Sequence, residues 1–440
     1  MVESLIQRVE SVDRFAILGR TTRVVGLVVE ATGVEVGLGE LCRIRPRRGE
    51  HNVLAEVVGF HERGALLMPL GPLDGINPES VVEPLGRSLA ADVGPELLGR
   101  VLNALGQPLD GRSRPVASRR VPMATNPPNP LERRSITEPL ITGVRSLDGM
   151  LTIGKGQRVG IFSGSGVGKS TLLGMIARHT SADVNVIALL GERGREVRDF
   201  IENSLGAEGL ARSVVIVATG DEAALLRARG AQLATAIAEY YRDMGKHVLL
   251  MVDSITRVAM AWREIGLAVG EPPTTKGYPP SVFASLPRLL ERAGNAANGS
   301  ISGIYTVLVE ADDFNEPIAD AARSILDGHI ILSRRLATAA HFPSVEVLES
   351  RSRVRDQVAD AEQRRAADQL IRLMAAYREK EELISVGAYQ AGSDALLDTA
   401  IRMRPAIETF LVQSPTDHTG LADTRKAMIE LAARAASGGA

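Results

Sequence analysis

Cysteine is almost missing from this chain of 440 residues. Cys42 is its one thiol, so no intramolecular disulfide can form and a reducing compartment fits best. Aromatic residues make up 3% of the chain, and there is one Trp. That leaves little material for the stacking platforms that hold single-stranded nucleic acid. An excess of either charge is missing too. The 51 Lys and Arg against 53 Asp and Glu give a formal net charge of -2, without the basic footprint of bulk nucleic-acid binding. No apolar run approaches the ~18 residues that span a bilayer. The first twenty residues mix Glu3, Arg8, Glu10 and Asp13 with apolar ones, unlike a signal peptide. These absences predict a cytoplasmic protein of two or three domains that can still dock on something membrane-bound.

What is present falls into zones. Leu5, Ile6, Val9 and Val12 recur at helical spacing, predicting an amphipathic segment over 1–20 that caps the fold or docks a partner. Residues 21–90 read as a small β-barrel, with β-rich runs at Val24–Val29 and Val53–Val58 between Gly-containing turns. A Pro-rich connector, Pro115 to Pro139, is too dense in proline for helix. Strand candidates follow at Arg158–Phe162, Val184–Leu190, Val214–Ala218, His247–Val252, Ile304–Val309 and Ile330–Leu332, with a helix at Glu222–Met244. Continuous apolar strands alternating with helices mean a mostly parallel sheet covered on both faces, placed in an α/β domain over 91–356. From 357 to 440 the pattern is helical. The tail beyond Gln413, with a helix from Leu421 to Ala435, reads as an extension.

The segment Gly164, Ser165, Gly166, Val167, Gly168, Lys169, Ser170 and Thr171 follows an apolar strand and opens a helix. That context makes it a nucleotide-binding phosphate loop. Its glycines let backbone N–H groups close around phosphates, Lys169 reaches the β/γ-phosphates, and the Ser170 hydroxyl ligates Mg²⁺. One position departs from the strict pattern, because Ser163 stands where the first glycine belongs.

A second apolar strand ends in Asp253, where a carboxylate holds Mg²⁺ through water or, more blandly, caps the next helix. After Leu190 comes Gly191-Glu192-Arg193-Gly194-Arg195-Glu196. Glu192, at the strand mouth, suits a group that polarises the attacking water, with Glu196 a more distant competitor. Arg351, Arg353 and Arg355 follow an expected strand near Val345–Leu348. Any of the three could be aimed at the γ-phosphate of a neighbouring subunit, and spacing does not choose among them.

These residues sit in longer segments that carry a family likeness over nearly the whole chain. They include Leu98–Gly111, Glu138–Asp148, Leu190–Glu196, Leu249–Arg257, Lys276–Arg292, Ala321–Arg335 and Leu383–Ser393. The chain resembles the flagellum-specific ATPase and its type III secretion counterparts, relatives of the F-type ATP synthase β subunit. A serine before Gly-Ser-Gly-Val-Gly-Lys is tolerated in the export enzymes, which leans the likeness toward export.

The resemblance implies a RecA-like P-loop core between the N-terminal β-barrel and the α-helical C-terminal domain. It implies Glu192 as the catalytic glutamate with Arg193 beside it, Asp253 as the Walker-B aspartate and Arg257 as a supporting residue. It selects Arg353 as the finger acting from the next subunit, and it places Phe342, and Phe410 with it, against adenine. It further implies Mg²⁺ with ATP as substrate, a homohexamer, and the Lys276–Leu286 loop facing a central coiled-coil stalk. A stator-like regulator, export chaperones with their substrate proteins, and a membrane export gate would be its partners. The location implied is cytoplasmic, peripheral to the inner membrane at the export apparatus. Nucleic acid is not an expected partner.

Three rivals stand beside this reading. A non-catalytic rotary subunit typically carries glutamine at the position of Glu192. A catalytic ATP synthase subunit is disfavoured by Ser163 and by Gly387–Ser393. A Rho-type translocase would need a basic or aromatic surface on the barrel, where Phe60 stands nearly alone and Arg43, Arg45, Arg47 and Arg48 read as a solvated turn. Between flagellar and virulence-type secretion, the N-terminal stretch and Val386-Gly387-Ala388-Tyr389 lean toward the flagellar kind.

Overall fold

The computed structural model describes residues 17–46, 51–62, 64–309, 313 and 316–437. The amphipathic segment expected from Leu5, Ile6, Val9 and Val12 lies outside them, as do Arg47 and Arg48.

Strands β1 (Gly19–Val25), β2 (Val28–Thr32), β3 (Glu40–Arg45), β4 (Val53–His61), β5 (Gly64–Pro69) and β6 (Val81–Ser88) close a barrel in the order β1-β2-β5-β4-β3-β6. The run Val24–Val29 is therefore not one strand. Gly26, at φ 56, turns the chain so that Val25 faces Val28 across a two-residue hairpin, a bend that needs a positive φ at its first central residue. Alternate residues such as Val29, Ala31, Cys42, Ile44 and Leu67 fill the interior. Arg43 and Arg45 lie on a strand rather than a turn, both paired with Glu83.

The connector is extended, as its prolines require. Strands β7 (Ala90–Val93) and β8 (Arg100–Asn103) precede it; β8 joins the central sheet, and β7 pairs with β9 (Arg119–Pro122) of the connector. Arg292 anchors it by donating to the Met123 carbonyl at 2.8 Å while its other nitrogens hold Glu239.

The central strands are β10 (Arg158–Ser163), β11 (Val184–Leu190), β12 (Ser213–Ala218), β13 (His247–Asp253), β14 (Gly294–Asn295), β15 (Ser300–Leu308), β16 (Gly328–Leu332) and β17 (Arg351–Ser352). They form one sheet in the order β17-β16-β10-β15-β13-β11-β12-β8, with β14 beside β15. All neighbours pair in parallel except at β14 and β17. Side chains alternate between two cores. Ile187, Leu189, Leu249 and Met251 enter one face; Val186, Ala188, Leu190, Leu250 and Val252 enter the other. A period of two with apolar residues at both phases is what a doubly covered sheet demands. Helices α1 (Lys169–His179), α2 (Ala224–Asp243), α3 (Ile255–Ala268) and α4 (Pro280–Leu290) accompany the sheet.

The strand expected near Val345–Leu348 is replaced by a single bridge, Leu332 to Val345, and a short 3-10 turn at Val347–Glu349. Ser350 is the reason. Its hydroxyl accepts the Ile331 N–H at 2.9 Å and donates to the Glu346 carbonyl, so a side chain takes the place of a ladder bond.

Helices α5 (Ala361–Ser385), α6 (Ala395–Leu411) and α7 (Leu421–Ala436) follow. The tail beyond Gln413 packs on the core. Met428 on α7 is fully buried, and Gln413 ties into the core by donating to the Gly143 carbonyl and accepting from the Arg145 N–H. Gly149 sits where a Cβ would meet Phe410, Met428 and Thr424 within 3.3 Å, so a larger residue would push these α6 and α7 side chains back by a few tenths of an ångström.

Candidate functional site

Strand β10 ends at Ser163, and the chain turns through Gly166 and Gly168 at φ 75 and 85 before Lys169 opens α1. Both values lie in the left-handed region that glycine adopts without strain. No side chain among the described residues caps the start of α1, which leaves its first N–H groups for an anion to satisfy. Val167 faces inward, its carbonyl accepting the Ser344 hydroxyl at 2.6 Å, while Ser165, Ser170 and Thr171 face the cleft. The Ser163 hydroxyl is buried without a hydrogen-bond partner among the described residues.

Lys169 brings the two expected acids together. Its Nζ lies 2.5 Å from Asp253 Oδ1 and 3.2 Å from Glu192 Oε1. The acids arrive there by topology, because β11 and β13 are adjacent parallel strands with Leu189 paired to Asp253. Ser254, not Asp253, caps α3 by accepting the Arg257 N–H, which leaves the aspartate free of that structural duty. Thr306 on β15 donates to the same Asp253 oxygen at 2.6 Å.

The electrostatics follow from burial of opposite charges. Burial pulls the Lys169 pKa down, but the charges of Asp253 and Glu192 outweigh it and hold the ammonium above its ordinary value. Burial, opposed by Lys169 and reinforced by Asp253, pushes the Glu192 carboxyl above the usual glutamate range. Glu196 moves the other way despite its burial, lowered by the bond it shares with Glu192.

Around this cluster opens a cleft of about 1300 Å³, ample for a nucleotide. Arg193, Glu196 and Arg257 line it; the Arg193 side chain is 86% exposed. Arg257 lays its stem against Gly191, where a Cβ would meet Arg257 Cδ at 2.5 Å, and its Nε is buried without a partner among the described residues. An orphaned guanidinium nitrogen beside a phosphate loop fits an incoming oxyanion. Phe342 is half-exposed against the phosphate loop, 3.3 Å from where a Gly168 Cβ would stand.

Two expected residues are not part of this cluster. Phe410 does not line the cleft, because its ring is buried among Gly149, Met428 and Thr424 at a core-facing position of α6. Arg353 lies at the other end of the sheet. It follows β17, its N–H bonds the Asp327 carbonyl, and β17 pairs with the first residues of β16. Arg353 is thus level with Asp327 while Ser163 pairs with the last residue, Leu332, so five residue steps, about 16 Å, separate the two levels. Arg353 is exposed, with one 3.3 Å bond to the Arg323 carbonyl.

Residues not foreseen also line the cleft: Thr256, Met260, Arg263, Tyr278, Glu316 and Arg334. Of the missed contacts Thr306 carried a legible signal, a hydroxyl inside an otherwise apolar strand.

Comparison with known proteins accords with this geometry. The family model for the ATP synthase alpha/beta family, nucleotide-binding domain, matches residues 143–352, and its beta-barrel domain matches 21–86. The model for the T3SS EscN ATPase C-terminal domain matches 359–430. The chain is 52% identical over 430 residues to a flagellum-specific ATP synthase of Bacillus subtilis (strain 168), covering 98% of each. It is 55% identical over 399 residues to a type 3 secretion system ATPase of Xanthomonas euvesicatoria, covering 91% of this chain and 90% of that one. The solved structure of the assembled ATPase EscN from the enteropathogenic E. coli type III secretion system superposes with a TM-score of 0.89 at 44% identity, over 94% of this chain and 100% of that one. The same ATPase in complex with its central stalk EscO gives 0.87, at the same identity and coverage. A chain with this phosphate loop, these paired acids and full-length likeness to both kinds of relative belongs to the family of flagellar and type III secretion ATPases.

Proposed function

We propose that this ATPase cleaves Mg·ATP at sites shared between identical subunits of a hexameric ring, and so energises or loads protein export. One observation carries the reading. Lys169, Glu192 and Asp253 converge in one cleft, while Arg353 stands exposed at the far end of the same sheet. An arginine so placed cannot serve its own phosphate loop and is free to serve a neighbour's.

In this mechanism the N–H groups of Gly164–Ser170 and the Lys169 ammonium bind the phosphates, drawing Lys169 away from its acids. Ser170 and Asp253, hard oxygen donors, would hold Mg²⁺, which when bound neutralises charge on the β/γ oxygens. Glu192 orients the attacking water and takes up its proton. Arg257 steadies the site floor, and Arg193 reaches the entering nucleotide. Phe342 stacks on the base, without Phe410. Arg353 of the adjacent subunit stabilises the transferring phosphoryl group, an effect of about 10³–10⁵ in rate elsewhere.

The assembled and stalk-bound forms of EscN support a homohexamer around a coiled-coil stalk. A stator-like regulator, chaperones carrying substrates, and an export gate complete the partners, with the protein on the cytoplasmic side of the inner membrane. No helix among the described residues is long and apolar enough to cross a membrane. The relatives are of both flagellar and virulence type; Val386–Tyr389 leads us to the flagellar apparatus.

Phosphate release measured against protein concentration tests the ring. Specific activity should climb steeply as the chain is concentrated. Mixing Arg353→Ala with Glu192→Gln protein should restore turnover well above that of either alone. Mixtures that co-assemble yet stay inactive would sink the shared site.

A further inference from the structure

Thr306 is completely buried in the middle of β15, between the strand that leads to the phosphate loop and the strand that ends in Asp253. In register it pairs with Ile161 on one side, and the step beyond the Tyr305–Val252 pair sets it next to Asp253 on the other. Its strand neighbours are Ile304, Tyr305, Val307 and Leu308, and valine has the same shape without a polar atom. A hydroxyl in such a place is costly unless it is bonded. Its bond runs to Asp253 Oδ1 at 2.6 Å, the oxygen that Lys169 also holds.

We propose that Thr306 is a positioning residue that fixes the Asp253 carboxylate by its Oδ1. This rests on the reading of Asp253 as the metal-holding acid. Lys169 is the transient partner, because bound phosphates compete for its ammonium. Thr306 carries no charge and is anchored in the sheet, so its bond persists when Lys169 leaves. It prevents the carboxylate from rotating and decides which oxygen is presented to a divalent cation. Without the hydroxyl, Asp253 retains its charge and loses its orientation.

The test uses the full chain with ADP and Mn²⁺ as the probe, following free Mn²⁺ by electron paramagnetic resonance. Thr306→Val should weaken Mn²⁺ binding about ten- to a hundredfold, the worth of a hydrogen bond to a charged group. ADP binding in EDTA should stay unchanged, and Thr306→Ser should restore Mn²⁺ affinity. Wild-type Mn²⁺ affinity in Thr306→Val, alongside a weakened Asp253→Asn control, overturns the positioning role. Full affinity in Asp253→Asn overturns instead the assignment of the metal to that acid. If Thr306→Val does not fold, Thr306→Ala replaces it. A serine variant that folds yet binds Mn²⁺ as poorly as the alanine one attributes the loss to packing and ends the proposal.

Discussion

Glu192 is held by two opposing influences, and its behaviour on acidification separates them. Burial and Asp253 raise its pKa, while Lys169 lowers it. Nucleotide removes the lowering influence by engaging the lysine. The carboxyl then protonates at a pH where a free glutamate is still ionised, and a protonated acid cannot accept the proton of water. Turnover should therefore fall on acidification from a point above the ordinary glutamate range. Glu192→Gln should cut turnover about 10²–10⁴-fold and abolish that acid limb, while ADP still binds. An unaltered limb in the residual rate of the Gln variant would assign the titration to another group. At this scale the sequence was informative wherever a residue followed the end of an apolar strand. Lys169, Glu192 and Asp253 all do, and strand ends in a parallel sheet converge on one edge. Phe410 was misplaced because an aromatic in a helix is equally suited to a core, and the glycine that admits it, Gly149, is remote in sequence.

Among the elements, β13 carries a titratable group at each end, and the two have different tasks. At its start His247 is buried, its Nε2 2.9 Å from the Ser302 hydroxyl, and burial with the nearby Lys155 charge lowers its pKa to about 4. In the unfolded chain the same imidazole titrates near its ordinary value of 6.5. Between these values the unfolded state binds the extra proton, so this group's stabilisation is complete above about pH 6.5. It fades as the pH falls toward 4, by about 3 kcal/mol at most. The urea midpoint should drop between pH 7 and pH 5, and His247→Gln should flatten that slope. Equal slopes in the two proteins would show that other groups set the acid sensitivity. Elements of this sheet were readable because a doubly covered strand is apolar at both phases. The Val24–Val29 run and the Val345–Leu348 segment were misread because their outcome depends on one turn glycine and one serine hydroxyl, which leave hydrophobic periodicity untouched.

Across the whole molecule, the barrel meets the nucleotide-binding core through an apolar seam and an ion pair between Glu56 and Arg229. Leu54, Leu66, Met68 and Leu70 pack on Leu225, Leu226, Ile265 and Val269. Arg229 of α2 binds Glu56 of β4 through both carboxylate oxygens, with 3% of the glutamate side chain exposed. Glu56→Ala strands a mostly buried guanidinium and should cost about 2–4 kcal/mol, somewhat below a fully buried pair because Arg229 keeps a fifth of its surface in water. Limited proteolysis should then cut the barrel free of the core first. A variant as resistant as wild type would mean that the apolar seam alone holds the barrel. Neither partner of this pair announced itself in the sequence, since they are 173 positions apart and each resembles a surface charge. The order of barrel, sheet and helices was legible, and their docking was not.

The separation of about 16 Å between the levels of Arg353 and the phosphate loop also bears on inheritance. A subunit lacking that arginine would keep a sound pocket of its own and spoil the one next door. In a cell carrying a normal and an altered copy of the gene, the fault would therefore act on healthy neighbours, each altered subunit silencing one and always on the same side. Loss of Arg353 would behave as a dominant trait, deepening with the share of altered subunits in the ring.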